Sequence, residues 1–159
     1  MASVIFDTNI YVFHSLKYPD ALRVWNEYAV TKNYDVIMSI IQVSELLSYP
    51  KIDENILIKN QREKYISISD EIILVDDEIA RKAAEIKRAW NKYSGKNLKL
   101  PDALIAATAI SHDALLISNN DRDFLYLSEY HGLNYQNPIS KQEDLYFFVD
   151  QMKNQGTKN

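Results

Sequence analysis

Short apolar runs and longer amphipathic stretches alternate along the chain. Residues 3–6 (SVIF), 36–41 (VIMSII), 72–75 (IILV) and 114–118 (ALLIS) are rich in apolar and β-branched side chains, the pattern of strands buried on both faces. Between them the pattern turns helical. Residues 20–32 open with Asp20 after Pro19 and set Leu22, Trp25 and Ala29 on one face, while 42–49 and 54–66 read as two further helices. Over 77–93, Ile79, Ala83, Ile86 and Trp90 recur at spacings of 4, 3 and 4, which is one stripe of an α-helix. The segment LPDALIAATAISHD puts Pro101 at the favoured first helical position and stays apolar nearly all round, which predicts a buried helix.

Strands that alternate with helices, each strand apolar enough to be covered twice, predict an α/β protein with a parallel sheet between helix layers. At 159 residues the chain fits one domain. Residues 1–150 are expected to form it, with 151–159 (QMKNQGTKN) as a frayed tail. No internal repeat or linker interrupts it.

Composition narrows the chemistry. There is no cysteine, so disulfides, thiolate nucleophiles and thiolate metal sites are excluded. Gly95, Gly132 and Gly156 are too scattered for a P-loop or a dinucleotide fingerprint, and no G-x-S-x-G elbow occurs. His14, His112 and His131 lack ligand-type spacing and read as structural or surface residues. With neither a basic, apolar leader nor an apolar run near the ~20 residues of a membrane span, a cytoplasmic protein is expected. The net charge of −4 argues against a general nucleic-acid coat, yet residues 78–99 carry seven basic side chains against two acidic ones. A solvated helix face is the ordinary reading of that segment.

Carboxylates remain. In a parallel α/β sheet, ligands bind beyond the carboxyl ends of the strands. Asp7 follows the first strand there, Glu45 stands about one turn into the helix after the second, and Asp102 opens the buried helix. Asp121 and Asp123, in SNNDRDF, follow the last apolar run. Each acid alone has an ordinary role as a cap, a helix-start charge or a turn residue. Together they would repel one another unless a cation compensates, and oxygen-only donors suit Mg2+ or Mn2+.

Four motifs, FDTNI, the Ser39–Leu46 segment with its Glu-Leu, LPDALIAATA and LLISNNDRDF, occur in an order and at separations that resemble the PIN-domain ribonucleases, most of all the VapC-type toxins of toxin–antitoxin pairs. The resemblance runs from about Val4 to Phe124. It implies a three-layer α/β/α sandwich with a mostly parallel central sheet of four or five strands. It also implies metal-dependent cleavage of RNA by an acidic set, Asp7, Glu45, Asp102 and Asp121, with Asp123 as a fifth candidate and Thr8, Asn9 and Ser118 in support. Asp7 and Asp102 would be the central ligands, and which of Asp121 and Asp123 lies nearer stays open.

Further expectations follow from the same resemblance. The chain should form a homodimer and meet an antitoxin whose segment brings a basic side chain, Arg by preference, against Asp7, Glu45 and Asp102. Tyr11, Phe13, Leu16, Tyr18 and Trp25 offer a patch for it, provided that some of them stay exposed. A housekeeping RNA-processing PIN nuclease and a non-catalytic PIN-like scaffold for RNA or protein are the alternatives. An aspartate-nucleophile phosphatase needs D-x-D where this chain has Asp7-Thr8-Asn9.

Overall fold

The computed structural model describes residues 1–156. Five strands form one sheet: β1 (Ser3–Phe6), β2 (Asp35–Ser39), β3 (Glu71–Ile73), β4 (Leu115–Ile117) and β5 (Asn134–Gln136). Their order is β3-β2-β1-β4-β5, and every neighbouring pair is parallel. Among the described residues the α-helices are α1 (Thr8–Ser15), α2 (Pro19–Trp25), α3 (Ile40–Leu47), α4 (Ile56–Ser67), α5 (Asp77–Ser94), α6 (Leu100–Ser111), α7 (Asp121–Tyr130) and α8 (Gln142–Gly156). A π-helical turn, Asn26–Val30, continues α2, and a 3-10 turn, Ile52–Glu54, precedes α4.

Period-two alternation sorts the strand side chains into two cores. Ile5, Ile37, Ile73 and Leu116 point to one face, where they meet Ile79, Ala83, Ile86 and Trp90 of α5, the alanine-rich side of α6, and Phe124 and Leu127 of α7. Val4, Phe6, Val36, Met38 and Ile117 point to the other, against α1, α2, α3 and Tyr65 of α4. This is the three-layer sandwich that the pattern and the resemblance predicted. A minor cluster, Tyr18, Ala21, Ile139 and Leu145, seats α8 on α2. The stretch expected as a frayed tail, 151–159, is helical through Gly156, and 157–159 lie outside the described residues.

Three expectations need correction. The run 36–41 is a strand only to Ser39. Ser39 caps α3 by accepting from the Ile41 N–H, and the buried Gln42 carbonyl accepts from the Ser39 N–H in return, so Ile40 and Ile41 become the first helical turn. The segment NNDRD is not an open turn. Asn120 accepts from the Asp123 N–H and starts α7.

The third correction concerns the aromatic patch after Asp7. Tyr11 and Tyr18 are buried, and Phe13, Leu16 and Trp25 are half-buried. Tyr11, Trp25 and Tyr65 pack with Phe6 and His14 at ring separations of 4.7–5.9 Å. Those aromatics are committed to the core because α4, which matched no motif, supplies Tyr65 to close around them.

The Gln42 amide also donates to the Phe6 carbonyl, so one buried side chain ties the end of β1 to the β2–α3 turn. Gln42→Leu strands the Phe6 carbonyl and the Ser39 N–H together. At ~1–3 kcal/mol for each unsatisfied group, urea denaturation should show a loss on the order of 2–5 kcal/mol, with the midpoint moved and the m-value kept.

Candidate functional site

Because β2 and β3 lie on one side of β1 while β4 and β5 lie on the other, the chain reverses direction in the sheet between β1 and β4. Helices leave the two strands on opposite faces there, and a crevice opens beyond their carboxyl ends. Asp7 and Ser118 are the residues that follow those two strands. The Asp7 N–H continues the ladder by donating to the Ile117 carbonyl at 2.8 Å.

The Asp7 carboxylate is fixed at both oxygens. Oδ1 caps α1, accepting from the Thr8 N–H at 2.8 Å, and Oδ2 accepts from the Ser118 hydroxyl at 2.7 Å. Only 6% of the residue is exposed. The Thr8 hydroxyl donates across to Glu45 Oε1 of α3 at 2.8 Å. Asp102 stands in the first turn of α6 and Asp123 in the first turn of α7. Four separate elements thus deliver Asp7, Glu45, Asp102 and Asp123 to one cleft of about 550 Å³, with Thr8 and Asn9 also in its wall.

Asp121 is not brought there. Its Oδ1 accepts from the Tyr135 hydroxyl of β5 at 2.7 Å and from the Asn137 amide at 3.1 Å, and it lines a separate depression. Two positions along an α-helix turn a side chain by ~200°, so Asp121 and Asp123 cannot share a face. Asp123 is the one that faces the cleft. Its Oδ2 accepts from the Asn120 amide, while its buried Oδ1 has no hydrogen-bond donor and only Arg122 Nε near it, at 3.5 Å.

The acids strain against their surroundings. Burial pushes the Asp7 carboxyl up from the ordinary aspartate value to about 6, with Glu45 and Asp123 adding to the rise and the Ser118 and Thr8 bonds opposing it. Asp102 is pushed up to about 7, by burial first and then by Asp7, Asp123 and Glu45. Lys99 opposes that rise. The positive ends of α1, α6 and α7 all sit at these acids, yet they do not outweigh desolvation.

The cleft also holds residues that the sequence did not single out for it: Arg62, Asn97, Lys99, Asn120 and Arg122. Arg62 reaches from α4, donates to the Leu46 carbonyl at 2.8 Å and lies 5.3 Å over the Tyr49 ring. Lys99 stands three positions before Asp102, a spacing that could have flagged it, whereas nothing around Arg62 in the chain does so. None of the three histidines lines the cleft. His14 pairs with the Tyr65 hydroxyl at 2.7 Å, the structural role expected of it.

The donor chemistry suits a hard dication. All donors are oxygens, and Asp123 Oδ1 is buried and unsatisfied. As they stand, though, no three acidic or histidine side chains among the described residues converge closely enough to hold a metal ion; the acids ring the cleft instead.

A fold with this switch-point cleft and these acids defines a PIN-type α/β domain, and residues 4–129 match the PIN domain family model: the chain belongs to the PIN-domain family. Solved structures share the fold. The chain superposes on a toxin–antitoxin complex from Klebsiella pneumoniae with a TM-score of 0.65 at 23% identity, covering 87% of this chain and 100% of that one. VapBC2 from Rickettsia felis, bound to a DNA fragment from its promoter, gives 0.66 at 24% identity over 84% and 97%, and VapBC-1 from nontypeable Haemophilus influenzae gives 0.66 at 21% over 85% and 97%. No curated protein sequence matches the chain significantly. No helix among the described residues is long and apolar enough to cross a membrane.

The raised carboxyls fix the sign of a pH effect. Between about pH 4 and 7 the folded protein holds protons that the unfolded chain has lost, so stability falls as pH rises through that window. In chelator, melting should therefore show Asp7→Asn stabilised over the parent by on the order of 3 kcal/mol at pH 8, and by little at pH 4. A difference that does not grow with pH would mean that Asp7 is an unstrained cap.

Proposed function

We propose that this protein is a divalent-metal-dependent endoribonuclease and the toxin of a toxin–antitoxin pair. The observation that carries the reading is the gathering of Asp7, Glu45, Asp102 and Asp123 from four elements into one cleft, where Asp7 and Asp102 resist ionisation without a compensating cation. Membership of the PIN family and the likeness to toxin–antitoxin complexes support it. Mg2+ or Mn2+ in the cleft would polarise a scissile phosphate, lower the pKa of a bound water and stabilise the leaving oxygen.

The chain's own residues have divided tasks. Asp7, Asp102 and Asp123 would hold the ion, and Glu45 would serve as a ligand or as the base that orients water. Ser118 and the Thr8 N–H lock the Asp7 carboxylate in one rotamer, and the Thr8 hydroxyl aims Glu45. Arg62 and Lys99 offer cations to the phosphates on either side of the cut. Asp121, tied to Tyr135 and Asn137, stays outside the reaction.

A cytoplasmic nuclease of this kind needs restraint. An antitoxin segment laid over the cleft would present an Arg to the acids, taking the ion's place as their counter-charge. The protein would be a homodimer, silent while that partner is bound.

Two measurements test the assignment. Cleavage of a labelled RNA should stop with chelator and in Asp7→Asn, Asp102→Asn and Asp123→Asn, but survive within a few-fold in Asp121→Asn. Loss of activity in Asp121→Asn with retention in Asp123→Asn would reverse the roles given to α7. In melts, Mn2+ at a hundred times its dissociation constant should add ~2.7 kcal/mol of stability, and less in Asp102→Asn. Equal melting curves in chelator and in Mn2+ would remove the metal from the cleft.

A further inference from the structure

The basic segment of α5 and the loop after it reaches the cleft only through Lys99. Arg81 pairs with Asp77, Lys82 with Glu85, and Lys87 donates to Asn97 and the Leu98 carbonyl. Arg88, Lys92 and Lys96 are exposed and, among the described residues, have no side-chain ion pair or hydrogen bond. Three tyrosines lie on the same pair of helices, Tyr93 directly after Lys92 on α5 and Tyr126 and Tyr130 on α7. Tyr93 of α5 stacks on Tyr126 of α7 with centroids 4.4 Å apart and planes 22° apart, and Tyr130 lies 5.0 Å from Tyr126. Tyr93 is 67% exposed and Tyr130 59%, although rings of this size are ordinarily buried.

Arg122 links this stack to the cleft. It lines the cleft, lies 5.8 Å over the Trp90 ring, and precedes Tyr126 by one helical turn and Tyr130 by two. One face of α7 therefore runs from the acids to the open rings over about 12 Å of helix rise.

We propose that the Tyr93, Tyr126 and Tyr130 stack is a platform for the bases of single-stranded RNA whose scissile phosphate lies in the cleft, with Arg88, Lys92 and Lys96 flanking its backbone. The proposal rests on the nuclease reading and adds to it where the uncut part of the substrate runs. Aromatic faces stack on any base while nearby cations track the phosphates, so the platform selects unpaired strands rather than a sequence. Charge complementarity decides the occupant. A second copy meeting this face across a two-fold axis would bring two copies of the same unpaired cations, Arg88, Lys92 and Lys96, into one interface, which is repulsive.

The test uses the full chain carrying Asp7→Asn in Mg2+, where the substitution itself stops cutting, with fluorescein-labelled mixed-sequence single-stranded RNA of about 4 and about 12 nucleotides. Tyr93→Ala with Tyr130→Ala should weaken binding of the longer RNA, on the order of tenfold to a hundredfold, and leave the shorter one nearly unchanged. Tyr93→Phe, which keeps the ring, should bind like the parent. Arg88→Glu with Lys92→Glu, which touches no core, should weaken binding and flatten its salt dependence. With Asp7 intact, the alanine pair should still cleave the short RNA at the parental rate. Parental affinity for the long RNA in both pairs would overturn the platform while leaving the nuclease reading standing. A parent protein that neither binds nor cuts RNA would sink both. Tyrosine variants that dissociate a dimer and bind RNA normally would assign the face to a second copy instead.

Discussion

One buried carboxylate, Asp7, sits where the sheet reverses direction, and the rest of the site is arranged around it. Its position follows from topology: β1 lies at the centre, so the residue after it opens on the crevice between α1 and the start of α7. Burial there is costly for a charge, and the chain meets the cost only in part. A backbone N–H and the Ser118 hydroxyl each satisfy one oxygen, yet the carboxyl still rises to about 6. The same residue caps α1, so its structural and chemical roles coincide. A cap alone needs no burial and no neighbouring acids.

Much of this was legible in the chain. The spacing of Ile79, Ala83, Ile86 and Trp90 placed α5 within a residue of its observed end, and Pro101 placed the start of α6. Asp7, Glu45 and Asp102 were readable because each follows an apolar run or a proline that marks an element boundary. What escaped was long-range. The strand β5 is three residues, Asn134, Tyr135 and Gln136, paired on one side only, and its polar pattern carries no strand signal. Missing β5 also hid the partner of Asp121, since Tyr135 is what draws that carboxylate away. The choice between Asp121 and Asp123 needed the helical phase of α7, which an apparent turn does not reveal. Arg62 escaped for a like reason, because its place at the cleft depends on how α4 packs against α3.

The aromatic count after Asp7 misled in an instructive way. Five apolar side chains looked too many for one helix pair, and the surplus suggested an open patch. The helix pair is not alone, however. Tyr65 arrives from a segment with a nearly featureless apolar pattern and completes a ring cluster around Trp25 and His14. Rings left open lie elsewhere, at Tyr93 and Tyr130 on the opposite layer and at Tyr146 and Phe147 of α8. Periodicity assigns a side chain to a face, but whether that face is covered is decided by elements far away in sequence.

The charges of the cleft impose an order on what it can bind. Four acids facing an approaching phosphate repel it, and Arg62, Lys99 and Arg122 around the same cleft do not neutralise them, since Asp102 remains raised despite Lys99. On the proposed reading, a dication among the acids would reverse that field and ionise Asp7 and Asp102 in the same step. Ion and phosphate then favour one another, and linkage requires the effect to be reciprocal: whatever the ion adds to phosphate affinity, phosphate adds to ion affinity. A basic side chain from a partner would satisfy the same acids without leaving a free positive face for phosphate. On the proposed function, restraint and catalysis would thus be alternative answers to a single electrostatic problem, the desolvated charge at Asp7 and Asp102.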